Sequence, residues 1–347
     1  MLEHERNDAG DTGRADGHVD RRRLLAGTAA AAGVAWVAPT IVSAPAASAA
    51  TVPPPASLQA YVVGNQTNSV AVFDVATLAL VASIATPGTA TAIASTPDGS
   101  RVYVVHALLS SISVIDTATN TIVASIPIGF GPNAIAMAPT GSRAYVGGNG
   151  SNVVAVVDIA TNTVVASIVT GALARRLAVD PANTELYVPS SSATVAVIVD
   201  LATNAVAGTV PVGNTPSGIA FDPSGATAYV TNSADNTLSI IDTALRSVTA
   251  TVAAGSSPID VSATSTRVYA TNLFGSSVWV IDAASHAFVT SIAVGAFPND
   301  AALTPDGSQL WVPCGANAVF VVDTATDSAT ASFPLVGAPA SVAFAAV

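Results

Sequence analysis

Residues 229–242 read Tyr-Val-Thr-Asn-Ser-Ala-Asp-Asn-Thr-Leu-Ser-Ile-Ile-Asp. This stretch opens with an aromatic residue, passes through a polar loop, and closes with an apolar run that ends in aspartate. Two short apolar runs separated by turn residues predict two neighbouring β-strands. The stretch decides the fold because most of the chain repeats it.

The repeat is visible in two series of residues that run in step. The aromatic position recurs every 42 residues, with one spacing of 40, at Tyr61, Tyr103, Tyr145, Tyr187, Tyr229, Tyr269 and Trp311. An aspartate follows each aromatic residue by 12 or 13 positions, at Asp74, Asp116, Asp158, Asp200, Asp242, Asp282 and Asp323. Such a period predicts seven copies of one supersecondary unit.

Each unit is predicted to contain four short strands. Strands are expected at 145–147, 153–158 and 164–169 in the third unit, and in the second unit a Gly- and Pro-containing corner at 129–132 leads into a fourth, innermost strand at 134–138. No segment has apolar residues at helical spacing. Four strands in a period near 42 describe the blade of a β-propeller, whose two apolar faces are covered by neighbouring blades.

The ends of the repeat region predict how the ring closes. The first strand after Pro53-Pro54-Pro55 is an aromatic strand, whereas the last segment, Ala340-Ser341-Val342-Ala343-Phe344, matches an inner strand. The C-terminal strand should therefore complete the blade that the three N-terminal strands begin, and so remove free sheet edges. An open solenoid would need polar capping repeats, and none is visible. We predict one all-β domain, a seven-bladed propeller spanning residues 58–347.

Several short motifs make the resemblance specific. Tyr229-Val230-Thr231-Asn232, Asp116-Thr117-Ala118-Thr119-Asn120 and Asp222-Pro223-Ser224-Gly225 resemble the YVTN β-propeller repeat family. The resemblance covers residues 58–347 and implies a secreted seven-bladed propeller, as found in bacterial periplasmic and archaeal surface proteins. It implies no single activity, because propellers host unrelated functions.

The first 49 residues have the composition of an export signal. Arg21-Arg22-Arg23-Leu24-Leu25 resembles a twin-arginine signal, residues 24–50 carry no charge, and Ala47-Ser48-Ala49 suits signal peptidase. We predict cleavage after Ala49, a Pro-rich spacer at 50–57, and export to the periplasm, the cell surface or the medium. The alternatives are a Sec-type signal and an uncleaved membrane anchor, which Pro39 and Pro45 disfavour. After cleavage no transmembrane anchor is expected.

Composition excludes several classes of protein. Half of the residues are hydrophobic and 10% are charged, which argues against disorder. A single cysteine cannot form an internal disulfide. Beyond residue 49 there are six arginines, no lysine and sixteen acidic residues, a net charge of about −10. That charge disfavours nucleic-acid binding, which depends on attraction to phosphates.

The two rims of the predicted ring differ in how strongly their sequences vary. The turn rim carries the turns that follow the inner strands, such as Pro97-Asp98-Gly99, together with the aspartate turns, and it barely varies. Its Pro, Gly and Asp residues indicate turn chemistry. The loop rim carries the loops that follow the aromatic strands and the corners that enter the inner strands. Variable loops on a rigid scaffold commonly bind ligands, so we place the candidate site there.

The residues that follow each corner should line the central funnel at the loop rim. The predicted ligand-binding residues are Arg175, Arg176, Asp260, Asp300, Asn133, Asn299 and Ser217. Arginine suits a carboxylate or phosphate, because its guanidinium offers a fork of donors. The competing interpretation is that an arginine simply pairs with a neighbouring acid in the funnel.

The sequence predicts no catalytic residues, no metal site and no cofactor. The two histidines beyond residue 49, His106 and His286, fall on opposite rims and cannot easily meet. Cys314 has no partner and is expected to be a partly buried free thiol.

These observations predict a non-catalytic binding or scaffold protein of the cell envelope. It would recognise a protein or a small anionic ligand through the loop rim and funnel, and would be a monomer. The alternative is an exported propeller enzyme of lactonase or lyase type, which would need acid–base groups near the funnel.

Overall fold

The computed structural model describes residues 57–347, which form 28 β-strands arranged as seven four-stranded antiparallel sheets. The predicted all-β, seven-bladed propeller is confirmed. The predicted export signal, and the spacer up to residue 56, lie outside the described residues. Within residues 57–347 there is no helix of the length and apolar character needed to cross a membrane.

Each blade contains an inner, a second, a third and an outer strand. The inner strands of blades 1 to 7 are β28 (Pro339–Ala346), β4 (Ala92–Ser95), β8 (Ala134–Met137), β12 (Ala178–Val179), β16 (Pro216–Phe221), β20 (Pro258–Ala263) and β24 (Ala302–Leu303). The second strands, which carry the aromatic residues, are β1 (Leu58–Gly64), β5 (Arg101–His106), β9 (Arg143–Gly148), β13 (Glu185–Pro189), β17 (Thr227–Asn232), β21 (Arg267–Asn272) and β25 (Gln309–Cys314).

The third strands end at the repeated aspartates, and the outer strands follow them. The third strands are β2 (Ser69–Asp74), β6 (Ser111–Asp116), β10 (Ser151–Asp158), β14 (Val195–Asp200), β18 (Thr237–Asp242), β22 (Ser277–Asp282) and β26 (Ala318–Asp323). The outer strands are β3 (Leu80–Ala85), β7 (Thr121–Pro127), β11 (Thr163–Val169), β15 (Ala205–Pro211), β19 (Ser247–Ala253), β23 (Phe288–Ala293) and β27 (Ser328–Pro334).

Blade 1 is closed by both ends of the described chain, in the strand order β28-β1-β2-β3. Tyr61 lies opposite Ala343, and the ladder extends from Leu58 opposite Ala346 to Gly64 opposite Pro339. This pairing gives β1 a hydrogen-bonded neighbour on each side. The seam therefore closes the ring in the way that the repeat boundaries predict.

The core lies between blades rather than within them. Seven clusters of buried apolar side chains each draw on two neighbouring blades. In one of them Tyr61 of blade 1 packs with Val104 and Ile115 of blade 2. Because every blade buries two faces, half of the chain can be hydrophobic while the fold stays closed.

The aspartates build the turns of the turn rim. Asp74 Oδ1 accepts hydrogen bonds from the backbone N–H of Thr77 at 2.8 Å and from its hydroxyl at 2.7 Å, and Asp158 makes the same pair of bonds with Thr161. These bonds lower the pKa of Asp74. The repeated aspartates thus have the structural role that their uniform turns indicate.

Candidate functional site

Several inner strands enter their blades through an irregularity in the ladder. The register of the ladder shifts between Pro216 and Ile219 in blade 5, and between Pro258 and Asp260 in blade 6. In blade 4 an isolated bridge joins Ala174 to Ser190 before the regular ladder begins. Bulges of this kind leave a residue unpaired and re-aim its side chain.

Residues at the entrance to the inner strands of all seven blades line one cavity of about 230 Å³. They are Thr91, Asn133, Arg175, Ser217, Ile259, Asn299 and Ala340. Arg176 also contributes, as do Asn65 and Asn149 from the loops after the aromatic strands. A cavity lined by every blade lies on the axis of the ring. It occupies the funnel mouth at the loop rim.

Arg176 reaches across the ring to two acidic residues. Its Nη2 lies 3.3 Å from Asp300 Oδ1, and its Nε lies 3.5 Å from Asp260 Oδ1. Nη2 also donates to the backbone carbonyl of Asn299 at 2.9 Å. Blade 4 is therefore tied to blades 6 and 7 by charge.

The two acids are buried and have further partners. Asp300 Oδ2 accepts a hydrogen bond from the Ser341 hydroxyl at 2.6 Å, and Asp260 Oδ2 accepts one from the backbone N–H of Ala301 at 2.9 Å. Neither acid is among the residues that line the cavity. The structure thus places Asp260 and Asp300 behind the lining, where they hold Arg176.

Burial and charge shift the pKa values of this cluster. Burial and the nearby Asp300 raise the pKa of Asp260 well above its ordinary value, although Arg176 opposes the shift. Burial acts to lower the pKa of Arg176, but the charges of Asp300 and Asp260 outweigh it and raise that pKa. Arg176 therefore remains a cation, and its charge is offset within the cluster.

Arg175 differs from Arg176 in its partners, although both line the cavity. Its guanidinium makes no hydrogen bond or ion pair with any side chain or backbone group of residues 57–347. Burial, and then repulsion from Arg176, lower the pKa of Arg175. A half-buried cation without a partner among the described residues is suited to an external anion.

The remaining predicted residues lie in the cavity wall. Ser217 donates its hydroxyl to the Ile259 carbonyl at 2.9 Å, and Asn299 donates its amide to the Pro339 carbonyl at 3.1 Å. Asn133 Oδ1 accepts the backbone N–H of Asn149 at 3.1 Å. The structure therefore brings Arg175, Arg176 and these three residues into one cavity.

Two residues that line the cavity are not among the ligand-binding residues predicted from the sequence. Asn65 and Asn149 each lie four positions after the aromatic residue of their repeat. The other repeats place alanine, serine, leucine or glycine there. A comparison of that single position across the blades would have singled out the two carboxamides.

His106 and Cys314 occupy equivalent, fully buried positions at the ends of second strands. The His106 ring bonds to the Thr89 carbonyl at 3.2 Å and to the Ser113 hydroxyl at 2.9 Å. Burial raises the pKa of the Cys314 thiol to about 12. His286 lies in an aspartate turn on the opposite rim, and the described residues contain no group of three His, Cys, Asp or Glu side chains placed to share a metal ion.

Similarity to known proteins is consistent with this architecture. A model of the YNCE-like β-propellers matches residues 19–183. No curated protein is significantly similar to the chain.

Solved structures share the fold at low sequence identity. Hydrazine synthase from Kuenenia stuttgartiensis is 21% identical, with a TM-score of 0.69 over 77% of this chain and 92% of that one. A functionally unknown protein from Desulfotomaculum acetoxidans is 19% identical, with a TM-score of 0.74 over 83% and 99%. Dihydro-heme d1 dehydrogenase NirN, in complex with DHE, is 14% identical, with a TM-score of 0.62 over 80% and 63%.

Identities below 25% show a common fold and carry no activity from one protein to the other. Together with the seven four-stranded sheets, these matches identify the chain as a seven-bladed β-propeller protein that is similar over residues 19–183 to the YNCE-like β-propellers.

Proposed function

We propose that this protein is an exported, non-catalytic binding propeller of the cell envelope, and that it takes up a small anionic ligand at the funnel mouth. The observation that carries the proposal is the guanidinium of Arg175, which lines the cavity without a partner among residues 57–347. The narrower assignment to the YVTN repeat proteins is part of the same proposal.

The charges around the cavity favour an anion over a cation. The residues that line it include two arginines and no acidic side chain. Asp260 and Asp300 lie behind the lining and offset Arg176, so the charge of Arg175 is the one left for a ligand. A half-buried site strengthens such an attraction, because water screens it less.

A lactonase- or lyase-type enzyme would need a titratable group that reaches its substrate. The pKa of Asp260 is raised, but its carboxylate accepts a hydrogen bond from the Ala301 N–H and pairs with Arg176 behind the lining. We therefore favour binding without catalysis.

The proposal can be tested by calorimetric titration of the full-length mature protein with acetate and with inorganic phosphate. We expect one saturable site per chain, and we expect Arg175→Ala to weaken it by about tenfold or more, because charge-assisted hydrogen bonds are lost. Arg143→Ala is the matched control, since it removes the same charge from the turn rim.

Two results would count against the site. One is unchanged affinity in Arg175→Ala, and the other is equal weakening by Arg143→Ala, which would indicate a nonspecific effect of net charge. Circular dichroism of both variants would establish that the fold is intact.

The proposed export rests on the twin-arginine-like stretch and the Ala47-Ser48-Ala49 pattern. N-terminal sequencing of the protein recovered from the cell envelope fraction tests it. A mature chain that begins at Ala50 is expected, and recovery only of the intact chain from the cytoplasm would contradict export.

A further inference from the structure

The cavity wall around Arg175 is built largely from uncharged hydrogen-bonding side chains. Four carboxamides line it, from Asn65, Asn133, Asn149 and Asn299, and two hydroxyls, from Thr91 and Ser217, complete the set. Ile259 and Ala340 are the apolar contributors. The wall therefore favours a ligand that is polar as well as charged.

Much of this hydrogen-bonding capacity is unused by the described part of the chain. The carboxamide of Asn65 has no partner among residues 57–347. Asn133 and Asn299 each use one end of the carboxamide, so the Asn133 amide nitrogen and the Asn299 Oδ1 remain available. Donors and acceptors are thus both open, as they must be to bind groups that donate and accept in turn.

The size of the cavity limits the ligand. At about 230 Å³ it lies below the range of roughly 300–1,000 Å³ that is usual for drug-sized ligands. The occupant should be a compact molecule, with its charged end at Arg175 and the rest within reach of the carboxamides.

We propose that the ligand is a small sugar acid, in which a carboxylate binds Arg175 and several hydroxyl groups bind the four asparagine carboxamides. This inference rests on the proposed function and names the class of ligand for the same site. Hydroxyls match carboxamides because each can donate and accept a hydrogen bond. A guanidinium can hold the carboxylate through two parallel hydrogen bonds.

Other small anions use less of the wall. Inorganic phosphate has few hydrogen-bond donors, so it would use Arg175 and the open amide nitrogens and leave acceptors such as Asn299 Oδ1 largely unused. An aromatic acid would find only Ile259 and Ala340 to cover its ring. The sugar acid is the class that uses both the cation and the carboxamides.

The test is a calorimetric titration of the mature protein with four probes: D-gluconate, D-galacturonate, acetate and D-glucose. We expect at least one of the two sugar acids to bind about tenfold more tightly than acetate, because the added hydroxyls each form hydrogen bonds. Glucose, which lacks the carboxylate, should bind at least about tenfold more weakly than that sugar acid.

Two variants separate the parts of the ligand. Asn133→Ala should weaken binding of the sugar acid by about fivefold and leave acetate binding unchanged, because acetate has no hydroxyl group for the Asn133 amide nitrogen to contact. The variant also removes the hydrogen bond from the Asn149 N–H, which is why a second carboxamide is tested. Asn152→Ala is the matched control on the same rim, outside the cavity lining, and should change neither affinity. Asn299→Ala repeats the test from blade 7, should Asn133→Ala fail to fold.

The outcomes distinguish this inference from the proposed function. If acetate binds through Arg175 and neither sugar acid binds more tightly, the sugar-acid class is overturned and the anion site stands. If none of the four probes binds and inorganic phosphate does not bind either, both are overturned. A sugar acid whose affinity is unaffected by Asn133→Ala and Asn299→Ala would also overturn the assignment of hydroxyls to the carboxamides.

Discussion

Two adjacent arginines in this propeller have opposite roles. Arg176 is fixed by Asp260 and Asp300, whereas Arg175 has no partner in residues 57–347 and lines the same cavity. Both arginines lie between the isolated bridge from Ala174 to Ser190 and the first residue of β12, outside the regular ladder. One arginine is held by two acids of the ring, and the other has no partner among the described residues.

The raised pKa of Asp260 predicts a pH dependence of stability. The folded protein holds this proton to a higher pH than the unfolded chain, whose carboxyl titrates near pH 4. The contribution of Asp260 is therefore most favourable below about pH 4 and is lost as the pH rises through the folded-state pKa. Asp260→Asn should abolish this decline, since asparagine stays uncharged.

Urea unfolding followed by tryptophan fluorescence, repeated between pH 4 and pH 8, measures the effect. The free energy of unfolding of the wild type should fall relative to that of Asp260→Asn as the pH rises. The turn aspartates, whose pKa values are lowered, have the opposite sign but are common to both proteins. Parallel curves would show that the pKa of Asp260 is the same in the folded and unfolded states.

Neighbouring blades are joined at the turn rim by a recurring contact between two elements. The aromatic hydroxyl of one blade reaches a residue of positive φ in the aspartate turn of the next, as in Tyr103 OH to Asn162 Oδ1 at 2.7 Å and Tyr269 OH to Asp327 Oδ1 at 2.9 Å. In two blades the residue two positions before the aromatic one also forms an ion pair with that turn. These pairs are Glu185 with Arg246 and Arg267 with Asp327.

The Glu185–Arg246 pair can be tested by exchanging its charges. Glu185→Arg places two cations together and should lower the free energy of unfolding by about 0.5–1 kcal/mol, the scale of a partly exposed pair. Arg246→Glu should have a similar cost. The double exchange should recover most of the loss, and additive losses in the double-mutant cycle would show that the two side chains do not interact.

At the scale of the whole molecule, stability depends on closing the ring. The seam consists of the β1–β28 ladder and of side chains that cross to blade 7. Phe344 of β28 lies edge-on to Trp311 of blade 7, with ring centroids 5.8 Å apart. Closure thus uses both backbone hydrogen bonds and apolar packing.

Phe344→Ala should therefore destabilise the whole propeller. Removal of a buried phenylalanine typically costs about 3–5 kcal/mol, because contacts are lost and a cavity remains. Phe274→Ala is the control, since that side chain is 70% exposed and should change stability by less than about 0.5 kcal/mol. Chemical denaturation measures both, and a loss below 1 kcal/mol in Phe344→Ala would show that the seam does not limit stability.

The sequence by itself determined the number of blades, the strand order, the seam and the difference between the two rims. These features follow from local chemistry, because turns rich in Asp, Gly and Pro end the strands and recur with a period of about 42 residues. The same period located the funnel positions, including Arg175 and Asn133.

Only the tertiary structure decided which of these residues meet. Arg176 and Asp300 are 124 positions apart, and they touch because a closed ring of seven blades sets blade 4 across the axis from blade 7. No local pattern distinguishes Arg175 from Arg176, since they are identical neighbours. Arg176 is paired and Arg175 is not, because their side chains take different directions within the assembled funnel.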